Sequence, residues 1–176
     1  IKIIQHVTPR SLVHGGSEET EVIIYTDGYF PDQRKGQREP PRIGGVAFAK
    51  ERNAAIAFSE EVPQEIMDLW IPRKTQIAMV EAIALPVAAE TLKEIIRDKR
   101  VIWMVDSEPV LGAGIKGYSA REDICSGIAV FWEIIREANV SVYLDRIPTD
   151  GNLPDGPSRA EWGSAGRHSW AITDAK

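Results

Sequence analysis

The order of strand-like and helix-like segments predicts an α/β domain with a mixed five-stranded sheet flanked by helices. Three observations support this fold class. Three strand patterns come first along the chain, two later strand patterns alternate with helical patterns, and the segment VIWMV at 101–105 is apolar throughout. Strands that alternate with helices usually pair in parallel, and a strand without polar positions is typically buried on both faces of its sheet. We therefore expect antiparallel-type pairing for the first three strands and parallel pairing for the later ones.

Each predicted element has its own local signal. The strands are rich in β-branched and aromatic residues, and a turn around Glu51, Arg52 and Asn53 joins the second strand to the third as a hairpin. The stretch Ser119-Ala120-Arg121-Glu122 matches a capping box and predicts a helix start. The predicted strands are 21–26, 43–50, 54–60, 101–105 and 140–147, and the predicted helices are 75–98, 119–138 and 157–162.

Length and composition indicate one globular domain. The chain has 176 residues, of which 43% are hydrophobic and 27% charged. We expect an N-terminal arm at 1–20, the domain itself at 21–162 and a C-terminal tail at 163–176. No apolar run approaches the roughly 18 residues that cross a bilayer, so no membrane partner is expected. The lone Cys125 excludes an internal disulfide and predicts a reducing intracellular compartment, cytoplasmic or nuclear.

The charge distribution is uneven. A net charge of −5 argues against a general nucleic-acid binder, because such proteins neutralise phosphates with Lys and Arg. However, the segment 34–42, RKGQREPPR, carries four positive charges against one negative charge. A solvated loop is the simpler interpretation of this segment, and a contact surface for phosphates is the alternative.

Two predicted strands end in aspartate. Asp27 follows VIIYT and Asp106 follows VIWMV. Asp27 precedes Gly28, where the strand is expected to break and the chain to bend away. The carboxyl ends of parallel strands form the functional crevice of such sheets, so neighbouring strands would bring the two carboxylates close together. Two close carboxylates favour a shared proton or a bound metal, whereas the alternative interpretation is that each aspartate is a turn or cap residue.

Two further acids are candidates for the same site. Glu81 lies in the middle of the apolar face of the 75–98 helix, where a charge needs a partner. A salt bridge to Arg73 or Lys74, or a change of helical phase at Pro86, would explain it structurally. Near the last helix, the best candidate is the acid at position 155, for which an N-cap role is the alternative. The acids at positions 150 and 145 are less favoured.

The ordered set of motifs resembles ribonuclease H. The set consists of YTDG, a hairpin, a helix with an inward glutamate, VDS after a buried strand, and Asn-x-x-Asp before a last helix. The stretches LGAGIKGYSAREDI and NLPDGPSR look like the ribonuclease H domains of retroelement reverse transcriptases. The likeness covers roughly residues 21–162. It implies the ribonuclease H-like fold and hydrolysis of the RNA strand of RNA–DNA hybrids during reverse transcription.

The resemblance also implies a site and its ligands. The family's metal-binding, catalytic carboxylates would fall on Asp27, Glu81, Asp106 and Asp155, holding two Mg²⁺ ions, with Mn²⁺ as a substitute. Oxygen ligands suit both ions. The partners would be an RNA–DNA hybrid and a fused or associated polymerase domain. The residues expected to bind the substrate are Gly28, Gln76, Ser107 and Lys116.

The chain departs from the family pattern before the last aspartate. Many members carry a histidine in that loop, but 146–154 contains none, and the spacing leaves no room for a basic protrusion. Lys, Asp150 or water would then assist product departure, or turnover would be slow. Two rival hypotheses therefore stay open. One is a catalytically silent ribonuclease H-like scaffold module, and the other is a DNA-cutting nuclease or transposase on the same fold.

Overall fold

The computed structural model describes residues 20–31, 39–162 and 170–175. A single mixed sheet runs through this part of the chain in the order β5–β4–β1–β2–β3–β6. Its strands are β1 (Val22–Tyr29), β2 (Arg42–Ala49), β3 (Ile56–Glu61), β4 (Arg100–Val105), β5 (Ser141–Arg146) and β6 (Ala171–Ile172).

The strand pairing agrees with the predicted fold class. β1, β2 and β3 pair antiparallel, while β4 pairs in parallel with β1 and β5 in parallel with β4. The five predicted strands are therefore confirmed, and a sixth is added. β6 is a two-residue strand that pairs in parallel with β3. Two residues are too few to show a strand periodicity, so the sequence pattern does not reveal this strand.

Helices cover both faces of the sheet. The helices are α1 (Gln64–Met67), α2 (Ile77–Thr91), α3 (Lys93–Ile96), α4 (Glu108–Lys116), α5 (Glu122–Glu137) and α6 (Asp155–Ser158), and a 3₁₀ turn spans Thr149–Gly151. Among the described residues, no helix is long and apolar enough to cross a membrane.

The main core lies between the sheet and the α2–α5 pair. Its largest fully buried side chains include Trp103, Phe58 and Phe131. The rings of Trp103 and Phe131 meet edge to face with centroids 5.0 Å apart, and the Trp103 indole donates to the Thr26 hydroxyl at 3.1 Å. This contact ties β4 to β1 just before the ends of both strands. The opposite face of the sheet carries a smaller cluster around Val46, together with α6.

The helices differ from the sequence expectations in several places. The helix predicted at 157–162 is instead α6, which begins at Asp155 and ends at Ser158, and α1 was not predicted. The 75–98 helix is divided at Leu92, where α2 ends. α5 begins at Glu122 rather than at 119, because the Ser119 hydroxyl accepts a hydrogen bond from the Arg121 amide and forms a turn instead of a capping box. α4 was not predicted, since its two glycines weaken helix propensity. It nevertheless forms, with Pro109 in its first turn and Val110 fully buried.

Candidate active site

The ends of β1 and β4 bring two aspartates to neighbouring positions. The parallel pairing of these strands runs as far as Thr26 opposite Val105, and Asp27 and Asp106 are the next residues on each strand. Adjacent strands lie about 4.8 Å apart. The expected break at Gly28 is wrong, because β1 continues through Gly28 and pairs it with Ile43 of β2. The antiparallel pairing with β2 keeps Asp27 in regular strand geometry.

Gly28 allows α2 to approach the sheet at this position. A Cβ atom on Gly28 would lie 2.6 Å from the Glu81 backbone nitrogen and 2.8 Å from the Val80 carbonyl carbon. Any side chain here would therefore push α2 away from β1. Because Gly28 has no side chain, α2 packs closely against β1 and Glu81 lies beside the ends of β1 and β4. There its charge interacts with the charges of Asp27 and Asp106.

Arg73 does not form the salt bridge to Glu81 that the sequence left open as an alternative. The Arg73 guanidinium donates to both carboxylate oxygens of Asp123, at 2.6 and 2.7 Å. Glu81 instead lies beside the Ser107 hydroxyl, which lowers its pKa. Pro86 does not end the helix either, since α2 runs from Ile77 to Thr91. α2 packs against both the sheet and α5 and is buried around most of its circumference. Glu81 is therefore an acidic residue in a largely buried helix.

The short helix α6 reaches Asp27 from the opposite face of the sheet. The Ser158 hydroxyl donates to Asp27 Oδ2, and the Asn152 amide donates to Asp27 Oδ1 at 3.2 Å. Gly44, which pairs with Asp27 across β1 and β2, makes room for this contact, because a Cβ on Gly44 would lie 2.5 Å from the Ser158 nitrogen. Asp155 opens the same four-residue helix.

Burial and mutual repulsion disfavour the charged forms of three of these acids. The pKa of Asp27 is raised to about 6, mainly by burial and also by the charges of Asp106 and Asp155, while the Ser158 hydrogen bond opposes the increase. Burial raises the pKa of Glu81 to about 7, assisted by Asp106 and Asp27 and opposed by Ser107. Burial also raises the pKa of Asp106, while a hydrogen bond from Thr149 lowers it. The cluster holds more negative charge than its protein surroundings compensate.

The side chain of Asp155 is about half exposed and has a cationic partner. Its Oδ1 accepts from the Arg159 guanidinium at 2.8 and 3.1 Å, and Arg159 also lies 5.0 Å above the Tyr29 ring. Within residues 20–31, 39–162 and 170–175, no three acidic, histidine or cysteine side chains already converge at metal-binding distances. Asp155 is paired with Arg159 instead of with the other acids. All four donors are nevertheless carboxylates, which are the ligands that hard divalent cations prefer.

The remaining predicted substrate residues have different surroundings. Ser107 is buried, with 9% of its surface exposed, and contacts Glu81. The Gln76 amide donates to the Ile71 carbonyl at 2.9 Å. Lys116 is exposed at the far end of α4, about 13 Å along the helix from its start. In the basic segment 34–42, positions 34–38 fall outside the described residues, and Arg42 pairs with Glu61 at 2.6 Å.

Three contacts to the cluster were missed by sequence reasoning. These are the Ser158 and Asn152 contacts to Asp27 and the Thr149 contact to Asp106. The segment NLPDGPSR carries the only sequence signal, because Asn152 and Ser158 lie three residues before and after Asp155. A helix of four residues shows no periodicity, so the direction of its side chains is not readable from the pattern.

These features define a class of protein: the chain has the ribonuclease H-like fold, with an acidic cluster at the carboxyl ends of β1 and β4. No protein-family model matches the sequence, and no curated protein matches it. Solved structures do match. The ribonuclease H1 of the halophilic archaeon Halobacterium salinarum superimposes with a TM-score of 0.57 at 18% identity, over 82% of this chain and 98% of that one.

Two further structures support the same fold. The N-terminal ribonuclease H domain of a Mycobacterium tuberculosis protein, solved as a fusion with maltose-binding protein, gives a TM-score of 0.57 at 14% identity, covering 86% of this chain and 99% of that one. A ribonuclease H1 isolated from compost by a metagenomic approach gives 0.50 at 22% identity, covering 76% and 89%. At these identities the likeness establishes the fold, and function has to be argued from the site.

Proposed function

We propose that this domain is a ribonuclease H, a metal-dependent endonuclease that hydrolyses the RNA strand of RNA–DNA hybrids. The observation that carries the proposal is the uncompensated acidic cluster, in which Asp27, Glu81 and Asp106 interact at the carboxyl edge of β1 and β4. Strongly raised carboxyl pKa values of this kind are typical of functional sites. The shared fold with solved ribonucleases H supports the substrate class.

The four carboxylates fit a pair of Mg²⁺ ions, with Mn²⁺ as a substitute. Asp27, Glu81, Asp106 and Asp155 would hold the ions through oxygen ligands. When bound, the ions would supply activation of an attacking water and stabilisation of the leaving 3′ oxygen, giving products with a 5′ phosphate and a 3′ hydroxyl. A cation also resolves the electrostatic conflict, because it offsets the repulsion that disfavours the charged carboxylates.

The chain's own hydroxyl groups orient these carboxylates. The Ser107 hydroxyl lies beside Glu81 and the Thr149 hydroxyl beside Asp106, where each lowers the pKa of the neighbouring carboxyl group. Both donors are neutral, so they restrict the rotation of a carboxylate without cancelling its charge. Thr149 lies in the 3₁₀ turn within the loop that lacks a histidine. The roles of Asp150, a lysine or water in product departure stay predictions.

We further propose the biological setting that the sequence motifs imply. The domain would remove template RNA during reverse transcription, next to a fused or associated polymerase domain. The 21–162 unit would carry the activity in an intracellular, reducing compartment. Gly28, Gln76, Ser107 and Lys116 would contribute to substrate binding. Gly28 and Ser107 would act close to the metal ligands, because Gly28 packs against the α2 backbone at Glu81 and Ser107 lies beside the Glu81 side chain.

A cleavage assay with a matched variant tests the proposed function. Labelled RNA–DNA hybrid, duplex RNA and duplex DNA are incubated with the protein in Mg²⁺, Mn²⁺ or EDTA. We expect cleavage of the hybrid's RNA strand alone, dependent on the metal, and a loss of at least about 100-fold in Asp106→Asn. Asp145→Asn is the control, because Asp145 is an exposed aspartate of β5 on the neighbouring strand. It should keep full activity.

The other outcomes separate the rival functions. Cleavage of duplex DNA, lost in Asp106→Asn, would indicate a DNA nuclease or transposase on the same fold. Binding of the hybrid without cleavage under any metal condition would indicate a silent scaffold. Equal activity in the wild type and Asp106→Asn would show that the activity does not arise from this site.

A further inference from the structure

Ser158 is buried at the point where α6 meets the sheet. Its residue exposure is 0%, and its hydroxyl donates to Asp27 Oδ2. The same hydroxyl lies 3.0 Å from the carbonyl oxygen of Asp155, but it has one proton and the contact to the Asp27 carboxylate is shorter. A carboxylate is the stronger acceptor, so the hydroxyl donates its hydrogen bond to Asp27.

The hydrogen bond links two predicted metal ligands that lie far apart in the sequence. α6 has only four residues, with Asp155 at its first position and Ser158 at its last. No side chain caps this helix. The Ser158 amide donates to the Pro154 carbonyl at 2.8 Å within this turn, so holding Ser158 against Asp27 also sets where the Asp155 backbone lies relative to Asp27.

The absence of a side chain at Gly44 shows that the close approach is built into the sheet. Gly44 is directly opposite Asp27 in the β1–β2 pairing, and a Cβ on Gly44 would lie 2.5 Å from the Ser158 nitrogen and 3.0 Å from the Ser158 Cα. Both of those atoms are backbone, so neither moves away easily. This backbone contact therefore fixes the position of α6 against β2.

A second donor completes the environment of Asp27 at a cost in stability. The buried Asn152 amide group donates to Asp27 Oδ1 at 3.2 Å and lies 3.5 Å from the Thr26 carbonyl oxygen. Its own Oδ1 is buried and has no hydrogen-bond partner among the described residues. A buried unpaired acceptor lowers the stability of the fold. Asn152 is thus oriented toward Asp27 although that orientation leaves its own acceptor unpaired.

We propose that Ser158 is a positioning residue that fixes the position of Asp155 relative to Asp27 and thereby sets the affinity of the site for divalent cations. The inference rests on the proposed function, because it takes these two acids as metal ligands. A serine suits this role because its neutral hydroxyl fixes one carboxylate oxygen and leaves the full negative charge for the cation. An arginine or lysine in its place would compete with the metal.

Metal binding without nucleic acid provides the main test. Mn²⁺ is titrated by calorimetry into wild-type protein, Ser158→Ala, Ser158→Thr and the control Ser126→Ala. Ser126 is an exposed serine of α5 whose hydroxyl donates to the Glu122 carbonyl. We expect Ser158→Ala to weaken Mn²⁺ binding about tenfold or more, as is typical when a group that hydrogen-bonds a metal ligand is removed. Ser158→Thr retains a hydroxyl and should recover most of the affinity, and Ser126→Ala should bind like the wild type.

Cleavage measured against metal concentration gives an independent readout. Ser158→Ala should need about tenfold more Mg²⁺ for half-maximal rate on the hybrid and approach the wild-type rate at saturation. A merely structural role would lower the thermal midpoint in EDTA without moving the half-saturating Mg²⁺ concentration. If Ser158→Ala does not fold, Ser158→Cys takes its place, since it keeps the side-chain volume and has only a weak donor.

The two proposals fail in different ways. Wild-type protein that binds Mn²⁺ and cleaves the hybrid, beside a Ser158→Ala variant with unchanged metal affinity, would overturn the positioning role and leave the proposed function standing. Wild-type protein that neither binds Mn²⁺ nor cleaves the hybrid would overturn the proposed function and this inference together.

Discussion

The substitution Asp27→Asn removes the charge of the most buried acid in the cluster and leaves its shape almost unchanged. Asn at this position can accept from Asn152 through its oxygen and donate to the Ser158 hydroxyl through its amide, so no partner is left unsatisfied. The variant therefore isolates the free-energy effect of the charge. We expect it to make the metal-free protein more stable at alkaline pH.

The magnitude follows from the raised pKa of Asp27. Burial and the neighbouring acids raise it from 3.8 to about 6, so the folded state binds the proton more tightly than the unfolded state does. The free energy of unfolding therefore falls as the pH rises from about 4 to about 6, and the loss is complete above that range. Each pKa unit corresponds to about 1.4 kcal/mol, which gives an upper value of about 3 kcal/mol at pH 8.

Thermal unfolding in EDTA measures this difference. For a chain of this size, a gain of roughly 1–3 kcal/mol raises the unfolding midpoint by roughly 2–12 °C, and we expect that gain for Asp27→Asn at pH 8. At pH 4, where Asp27 is protonated in the folded state, the two proteins should unfold at nearly the same temperature. Asp145→Asn, at an exposed position, should change little at either pH.

Added Mg²⁺ should reverse the order. Ligand binding to the folded state stabilises the wild type by mass action, whereas Asp27→Asn lacks one proposed ligand and should gain less. The reasoning is refuted if Asp27→Asn in EDTA is no more stable than the wild type at pH 8, or if its advantage is the same size at pH 4.

Two further predictions concern packing and ion pairing. Gly28→Ala should destabilise the domain by about 1–3 kcal/mol in urea unfolding, because the new methyl group meets the backbone of α2 at 2.6 Å. Gly112→Ala, in α4 with no atom within 4 Å of the added Cβ, should be neutral or stabilising, and equal losses in both variants would contradict the packing argument. Arg73→Ala should cost about 1–2 kcal/mol at pH 7, because it leaves the nearly buried Asp123 carboxylate without its cation. The pKa of Asp123 is lowered to about 2, so this stabilisation is present above pH 4 and disappears as the pH falls toward 2. The exposed Arg136→Ala should lose less than about 0.5 kcal/mol, and a pH-independent effect of Arg73→Ala would refute the electrostatic explanation.

The strands and the long helices could be predicted from the sequence because their signals are local. β-branched and aromatic runs mark the five strands, and the apolar VIWMV segment indicates a strand covered on both faces. Elements without a local signal were missed. The glycines of α4 obscure its helical pattern, and β6 has only two residues. The capping box at Ser119 was wrong because a short-range turn competes for the same hydroxyl.

The candidate site, like the fold, could be predicted from the sequence only in part. The sequence determined by itself which acids deserve attention: Asp27 and Asp106 because they end strands, and Glu81 because a charge in an apolar helix needs compensation. Only the tertiary structure decided that β1 and β4 are parallel neighbours, that Gly28 admits α2, and that Gly44 admits α6. The contact between Ser158 and Asp27 could not be predicted from the sequence, because it joins residues that are 131 positions apart. Such contacts depend on backbone packing between distant segments, and no local pattern encodes the distance between two elements.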